Sequence, residues 1–274
     1  MDKRLILIIV TSCVLAATGS YAVSDEIIES FPIDGDIPYG LAYDGSYFYI
    51  TEFSLKTVLV VDPSNGAVVD TLTLTPEPPA ESFLLGATYD GTSLWIITIG
   101  AGKKLYKVDP ADGSILLTLP LPQPFSGPNA NPAGLTWDGT YLYVSNNLQG
   151  YKYLGAVDPV AGTLINSWVS YAKLPNGLAY TQHDGDDYLF NVGNQDGWTF
   201  LYDTDGSLYS GEEFKLNIPG TSWWGGLTFG GSDTDLWMVM GQSETLYHLG
   251  IDWSGSEYVK IETASFGRIK SLYR

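Results

Sequence analysis

The sequence predicts an all-β chain folded as a five-bladed β-propeller of four-stranded antiparallel blades. Three observations predict it: a unit first seen over residues 37–74 returns four more times, apolar residues inside each unit alternate in short runs, and turn residues recur at fixed places between those runs. Alternation over four to eight residues is the period of a half-buried strand, and no stretch offers a continuous 3.6-residue stripe for a helix. Four antiparallel strands repeated every 40 to 50 residues build a ring of blades.

Aligned on a Gly-Leu or Gly-Ala pair, the units open at Gly40, Gly86, Gly134, Gly177 and Gly226, with spacings of 46, 48, 43 and 49 residues. In the first unit the strands are predicted over 40–43 (a), 47–52 (b), 57–62 (c) and 67–74 (d). An Asp-Gly turn joins a to b at Asp44-Gly45, Asp90-Gly91 and Asp138-Gly139, and more loosely at Asp184-Gly185. Glycine supplies the positive φ that tight hairpins need. A second turn, Asp-Pro-x-x-Gly, joins c to d over 62–66, 109–113 and 158–162, with shortened versions over 203–206 and 252–255. Residues 26–33 (EIIESFPI) read as a d strand with no a, b or c before it, which would complete the last blade and close the ring. Residues 257–263 also read as the fifth d strand, and 266–273 have no place in five blades. A ring of six with a partial last blade is therefore the alternative.

The chain begins with Asp2, Lys3 and Arg4, an apolar run over 5–17, and small residues ending at Ala22. That order is expected to be a signal peptide, 1–22, removed to leave 23–274 as a single propeller domain that is exported to the periplasm, the cell surface or the medium. The only cysteine, Cys13, follows Val10-Thr11-Ser12 in the manner of a lipoprotein box, so a lipid anchor there is the alternative. Cleavage after Ala22 leaves no cysteine, and about 250 residues suffice for a core without disulfides. No later segment reaches the roughly 18 apolar residues of a membrane span. Formal charge is −18, which excludes nucleic acid as a partner, and a monomer is expected.

In a ring of such blades, the a–b and c–d turns fall on the bottom face, while the b–c and d–a connections fall on the top. The bottom turns are alike from unit to unit and the top loops differ, so binding is expected on the top face and at the central channel. The b–c loops gather Glu52, Asn146, Asn147, Gln149, Asn194, Gln195, Asp196, Gln242 and Glu244. Such an amide-rich set suits hydrogen bonding to a protein or glycan ligand, and its oxygens also suit a calcium ion, although no metal ligand set is assigned. Trp224, with Trp223, Trp198 and Tyr151, offers flat apolar surface for a ligand, whereas the strand-b aromatics Tyr49, Trp95, Tyr143, Phe190 and Trp237 are expected to pack between blades. There is no GxSxG motif, and with only His183 and His248 a histidine-rich zinc site is ruled out. His183 is expected to be exposed on the bottom face and His248 to be structural. Any catalytic acid or base would be Glu52, Asp196 or Glu244.

From Pro175 the fourth unit reads PNGLAYTQHDGDDYLF, which resembles the regucalcin and gluconolactonase family. The resemblance implies that Asn176, matching the asparagine of PNG, is a ligand of a divalent cation. The family's acidic ligands have no counterpart here: Tyr39 stands at one position and Gly225 at the other. More broadly the units resemble YVTN and NHL-type propellers, as in VLVVDPSNG from Val58 and LYKVDPADG from Leu105. Those propellers mostly bind proteins or other ligands. Five-bladed bacterial glutaminyl cyclases are similar in repeat style, but their TQGL opening is missing. Two functions stay open: a binding module that recognises a protein or glycan ligand through its top-face loops, and a lactonase-like hydrolase or lyase of small molecules, with or without a divalent cation.

Overall fold

The computed structural model describes residues 23–253, apart from 101, 149, 151, 195, 210–212 and 220–224. Among the described residues, twenty strands form five four-stranded antiparallel sheets. Blade one is β2 (Pro38–Tyr43), β3 (Phe48–Glu52), β4 (Thr57–Val61) and β5 (Val68–Thr73), within two residues of the predicted bounds. Blade two is β6 (Phe83–Tyr89), β7 (Leu94–Ile99), β8 (Lys104–Val108) and β9 (Ile115–Pro120). Blade three is β10 (Pro132–Trp137), β11 (Leu142–Asn146), β12 (Tyr153–Val157) and β13 (Leu164–Val169). Blade four is β14 (Pro175–His183), β15 (Asp186–Gly193), β16 (Trp198–Tyr202) and β17 (Phe214–Lys215).

Blade five is β18 (Leu227–Phe229), β19 (Asp235–Met240), β20 (Thr245–Asp252) and, in the outer position, β1 (Ser24–Pro32). The amino-terminal strand therefore closes the ring, pairing from Ser24 opposite Asp252 to Pro32 opposite Thr245 with a register shift between Ile27 and Glu29. Five blades, not six, make the circle. The fifth d strand predicted over 257–263, and the segment 266–273, lie outside the described residues, as do the leader 1–22 and Cys13.

The turns carry the structure that their residues dictate. Asp44 accepts the N–H groups of Ser46 and Tyr47 and the hydroxyl of Tyr49 (2.9 Å), while Gly45 takes a φ of 97°. The same aspartate holds the strand-b aromatic in blade two, where Trp95 Nε1 donates to Asp90 at 2.8 Å, and in blade three, where Tyr143 donates to Asp138 at 2.9 Å. Asp90 also binds Lys107 Nζ at 2.8 Å. Burial pushes its carboxyl up, but bonds from Lys107, Thr92, Trp95 and Ser93 outweigh that and hold it well below the usual carboxylate range. A depressed native pKa contributes stability above the unfolded value of about 3.9 that is lost as pH falls. Asp90→Asn is expected to lower the melting temperature at pH 7 by about 5 °C, the equivalent of about 2 kcal/mol for charge-assisted bonds in a chain of this size. It should also narrow the gap from wild type at acid pH; parallel thermal melts from pH 7 to pH 3 read both.

The core is divided into five apolar wedges, each between two neighbouring blades. Tyr49 lies between blades one and two, Trp95 between two and three, Tyr143 between three and four, Phe190 between four and five, and Trp237 between five and one. The strand-b aromatics thus pack as expected. His248 is stacked on Trp237 (centroids 4.1 Å apart) with its ring nitrogens against Glu29 and Asp235, a structural position that ties β1 to its blade. His183 departs from expectation. It stacks on Trp253 at 4.3 Å and meets Asp233 at 2.5 Å, because β14 runs on through His183 and carries the ring beneath blade five.

Candidate functional site

The innermost strands β2, β6, β10 and β14 each carry a bulge at the Gly of the repeat, where three residues span two on strand b. A bulge adds one residue and re-aims the side chains around it. The residues before the glycines, Tyr39, Leu85, Ala133 and Asn176, hold equivalent positions in four successive blades. Above them stand the residues that end strand b or follow it: Phe53, Ile99, Asn147 and Asn194. Together with Asn131, Leu148 and Leu174 from the top loops, Tyr39, Leu85 and this upper tier line a cavity of about 400 Å³ at the top of the channel.

The cavity has two halves. Blades one and two give hydrocarbon, with Phe53 stacked on Phe83 at 4.7 Å and 6.1 Å from Tyr39. Blades three and four give the amides Asn131, Asn147 and Asn194, beside Leu148 and Leu174. Tyr39 donates its hydroxyl to Asn176 Oδ1 at 2.6 Å, Asn147 Nδ2 reaches the same oxygen at 3.4 Å, and Asn176 Nδ2 donates to Gly225 O at 3.5 Å. Burial pushes the Tyr39 phenol far above the ordinary tyrosine range, against a smaller downward pull from Asn147 and Asn176, so it stays a protonated donor. Asn131 Nδ2 donates to Asn147 O at 3.0 Å, and Asn147 N–H to Asn131 O at 2.7 Å, which locks the rim of blade three. Asn194 is buried, and its Oδ1 accepts no hydrogen bond from the described residues.

Of the residues selected from sequence, the fold brings Asn147, Asn176 and Asn194 together. Glu52 and Asn146 stand at equivalent ends of strand b, and both act within their own blades. Glu52 Oε1 accepts Asp36 N–H at 2.9 Å and Oε2 accepts the Thr57 hydroxyl, while Asn146 Oδ1 accepts Asn131 N–H at 2.6 Å. Each side chain clamps the chain as it enters strand a. Asp196 Oδ1 faces Trp198 N at 3.4 Å, and Trp198 is exposed on β16. Gln242 and Glu244 are exposed in the turn before β20. Gln149, Tyr151, Gln195, Trp223 and Trp224 lie outside the described residues. The sequence reading missed Phe53, Leu85, Ile99, Asn131, Leu148 and Leu174 altogether, and it gave Tyr39 no role in binding. Stacking the repeats in columns and following the position after strand b finds Phe53, Ile99, Asn147 and Asn194 together.

The donor set does not fit the cation site that the regucalcin resemblance implies. The oxygen of Asn176 that would face a metal receives the Tyr39 hydroxyl, and the two positions that would carry acids are Tyr39 and Gly225. Among the described residues, no three or more His, Cys, Asp or Glu side chains cluster as a metal site. A hard cation prefers several anionic oxygens.

Fold and site define the class: a five-bladed β-propeller with a half-amide, half-apolar cup at the mouth of its channel. No protein-family model and no curated protein matches the sequence. Solved structures with this architecture include the glutaminyl cyclase of Myxococcus xanthus, at 15% identity and a TM-score of 0.65, covering 88% of this chain and 99% of that one. A PQQ-bound aldose sugar dehydrogenase from Streptomyces coelicolor is similar at 13% identity and a TM-score of 0.51, covering 84% and 98%. A gluconolactonase from Xanthomonas campestris is similar at 14% identity and a TM-score of 0.50, covering 83% and 98%. At these identities the likeness is one of fold.

Proposed function

We propose that this is an exported, monomeric propeller that binds a protein or glycan ligand in the cup at the channel mouth, without turnover and without a resident calcium ion. The observation that carries this reading is the chemistry of the cup wall. Its described lining residues are amides, one tyrosine and hydrocarbon, and the carboxylate of Glu52 is committed to holding Asp36 and Thr57. A wall of this kind positions and desolvates a ligand, but it offers no group that exchanges protons near neutral pH.

The second reading, a lactonase-like hydrolase or lyase, is favoured by one observation: the similar folds include proteins described as a gluconolactonase and a glutaminyl cyclase. There Tyr39 would serve as a hydrogen-bond donor to a substrate oxygen, and Glu52, Asp196 or Glu244 as the acid or base.

Residues 23–274 presented to arrays of immobilised peptides and glycans are expected to bind a defined subset, and Leu148→Arg, which places a charge at the rim, should weaken that binding about tenfold or more. Melts with chelator and with added calcium should coincide, since a ligand specific to the native state raises apparent stability. Undiminished binding by Leu148→Arg would move the site away from the channel. Turnover of a lactone that disappears when Glu52, Asp196 or Glu244 is neutralised would establish the second reading instead.

A further inference from the structure

We propose that the top face takes an acidic peptide segment, one apolar side chain of which fills the cup while its carboxylates meet the lysines of blades two and three. This rests on the reading of the channel mouth as a binding site and names its ligand chemistry.

Charge is spread unevenly over the ring. Between residues 99 and 175 the chain makes four top connections, over 99–104, 120–132, 146–153 and 169–175. They carry Lys103, Lys104, Lys152 and Lys173, and no aspartate or glutamate. The acids of that stretch, Asp109, Asp112, Asp138 and Asp158, all stand in bottom turns. Among the described residues, the lysine–carboxylate pairs are Lys56 with Glu77 and Lys107 with Asp90, so none of the four top lysines is neutralised. Lys103 Nζ donates to Gly127 O at 3.0 Å, which holds the charge over its loop without cancelling it.

The chain as a whole carries a formal charge of −18, but the bottom aspartates do not govern the top. Strand b of blade three puts five residues between the two faces, about 17 Å at roughly 3.4 Å per residue. In physiological salt a charge is largely screened beyond about 8 Å. The acids of the top face fall within 34–81, around blade one, and 196–244, on blades four and five. An anion over blades two and three therefore meets four cations first, and complementary charge of this kind selects a partner.

The lysine arc and the cup are one surface. Ile99, Asn131, Asn147, Leu148 and Leu174 of the cup wall belong to the same four connections. Within the wall, Tyr39, Leu85, Asn147 and Asn194 are buried, while Phe53, Ile99, Leu148, Leu174 and Asn131 are partly exposed. A ligand thus touches hydrocarbon from four sides and a single amide. The hydroxyls that ring a sugar would be dehydrated there without partners, whereas an aliphatic or aromatic side chain is stabilised. None of the described lining residues is charged, so a carboxylate is disfavoured inside the cup and favoured at the lysines beside it. An apolar side chain flanked by acids on a peptide satisfies both regions.

The probes are the acetylated tripeptide amides Glu-Phe-Glu, Gln-Phe-Gln and Glu-Gly-Glu, with trigalacturonate as an acidic sugar. Each is titrated calorimetrically into residues 23–274 up to about 10 mM, to cover millimolar affinity. Glu-Phe-Glu is expected to bind, with Gln-Phe-Gln and Glu-Gly-Glu each about tenfold weaker in low salt, and the gap to Gln-Phe-Gln closing in about 0.5 M salt. The double variant Lys152→Gln, Lys173→Gln should weaken Glu-Phe-Glu about tenfold with an unchanged thermal melt, and Lys215→Gln, on blade four outside the arc, should not weaken it. Equal affinity for Glu-Phe-Glu and either other peptide, or an unaffected double variant, overturns the inference and leaves the channel-mouth reading standing. Binding of trigalacturonate in place of the peptides does the same. If no probe binds, the inference falls; if the arrays are also blank, the reading beneath it falls too.

Discussion

Gly134→Ala is expected to destabilise the protein by about 3 kcal/mol or more, a fall of about 10 °C in melting temperature for a chain of this length. A Cβ at Gly134 would lie 2.0 Å from Asn176 O and 2.9 Å from Leu178 N, both backbone atoms of the next inner strand. Neither atom moves without dragging its strand. The same approach recurs at Gly40, against Leu85 O at 2.2 Å, and at Gly86, against Ala133 O at 2.3 Å. Hydroxyls bridge two of these contacts: Gly40 N–H donates to Thr51 Oγ1, which donates to Leu85 O at 2.6 Å, and Gly134 N–H donates to Ser145 Oγ, which donates to Asn176 O at 2.6 Å. Gly45→Ala is the control, since nothing lies within 4 Å of its Cβ and only the left-handed backbone resists, at a cost of about 1 kcal/mol. Equal losses at Gly134 and Gly45, read from denaturant melts, would show that inner-strand contact does not constrain the ring.

Removing residues 23–33 is expected to have an equally large effect: loss of the cooperative melt and self-association of what remains. That segment holds the whole of β1, pairs with β20 along eight positions, and buries Val23 and Ile33. It also sets Phe31 beside Trp237, with centroids 6.4 Å apart. Two large side chains contribute about 2 kcal/mol each, and with the ladder this approaches the 5 to 15 kcal/mol that holds a domain folded. Without β1, the edge of β20 is bare, and a bare edge recruits other chains. Light scattering and a thermal melt of residues 34–274 check this; a monomer that melts like the parent would remove β1 from the role of closing strand.

Much of the fold was legible because turns are written locally. Asp44-Gly45 and residues 62–66 announce their hairpins in a few letters, and repetition multiplies the signal. The closing strand was half legible: 26–33 read as a d strand without a blade, but only pairing over more than two hundred residues shows which blade receives it. The site was less legible. Asn147 and Asn194 were visible as amides in top loops and Asn176 through its PNG motif, whereas Tyr39 and Leu85 sit at bulges, and a one-residue bulge changes which way neighbours point without leaving a mark in composition. Glu52 and Asn146 show a limit of the same kind. A polar side chain at the end of strand b reads alike whether it faces a ligand or clamps its own backbone, and only the distance to Asp36 N or Asn131 N separates the two.

The division of the core into five wedges makes every blade a half-owner of two. An isolated blade would carry two bare apolar faces and complete none of its packing, so the sequence repeat is not a folding unit. Linear repeat arrays lose end units one at a time, because each interior contact belongs to neighbours on a line. A closed ring has no end unit to lose. Opening any wedge exposes the aromatic that fills it, and the loss reaches the next wedge through the shared sheet, so the five repeats melt as one body although each is spelled out separately in the chain.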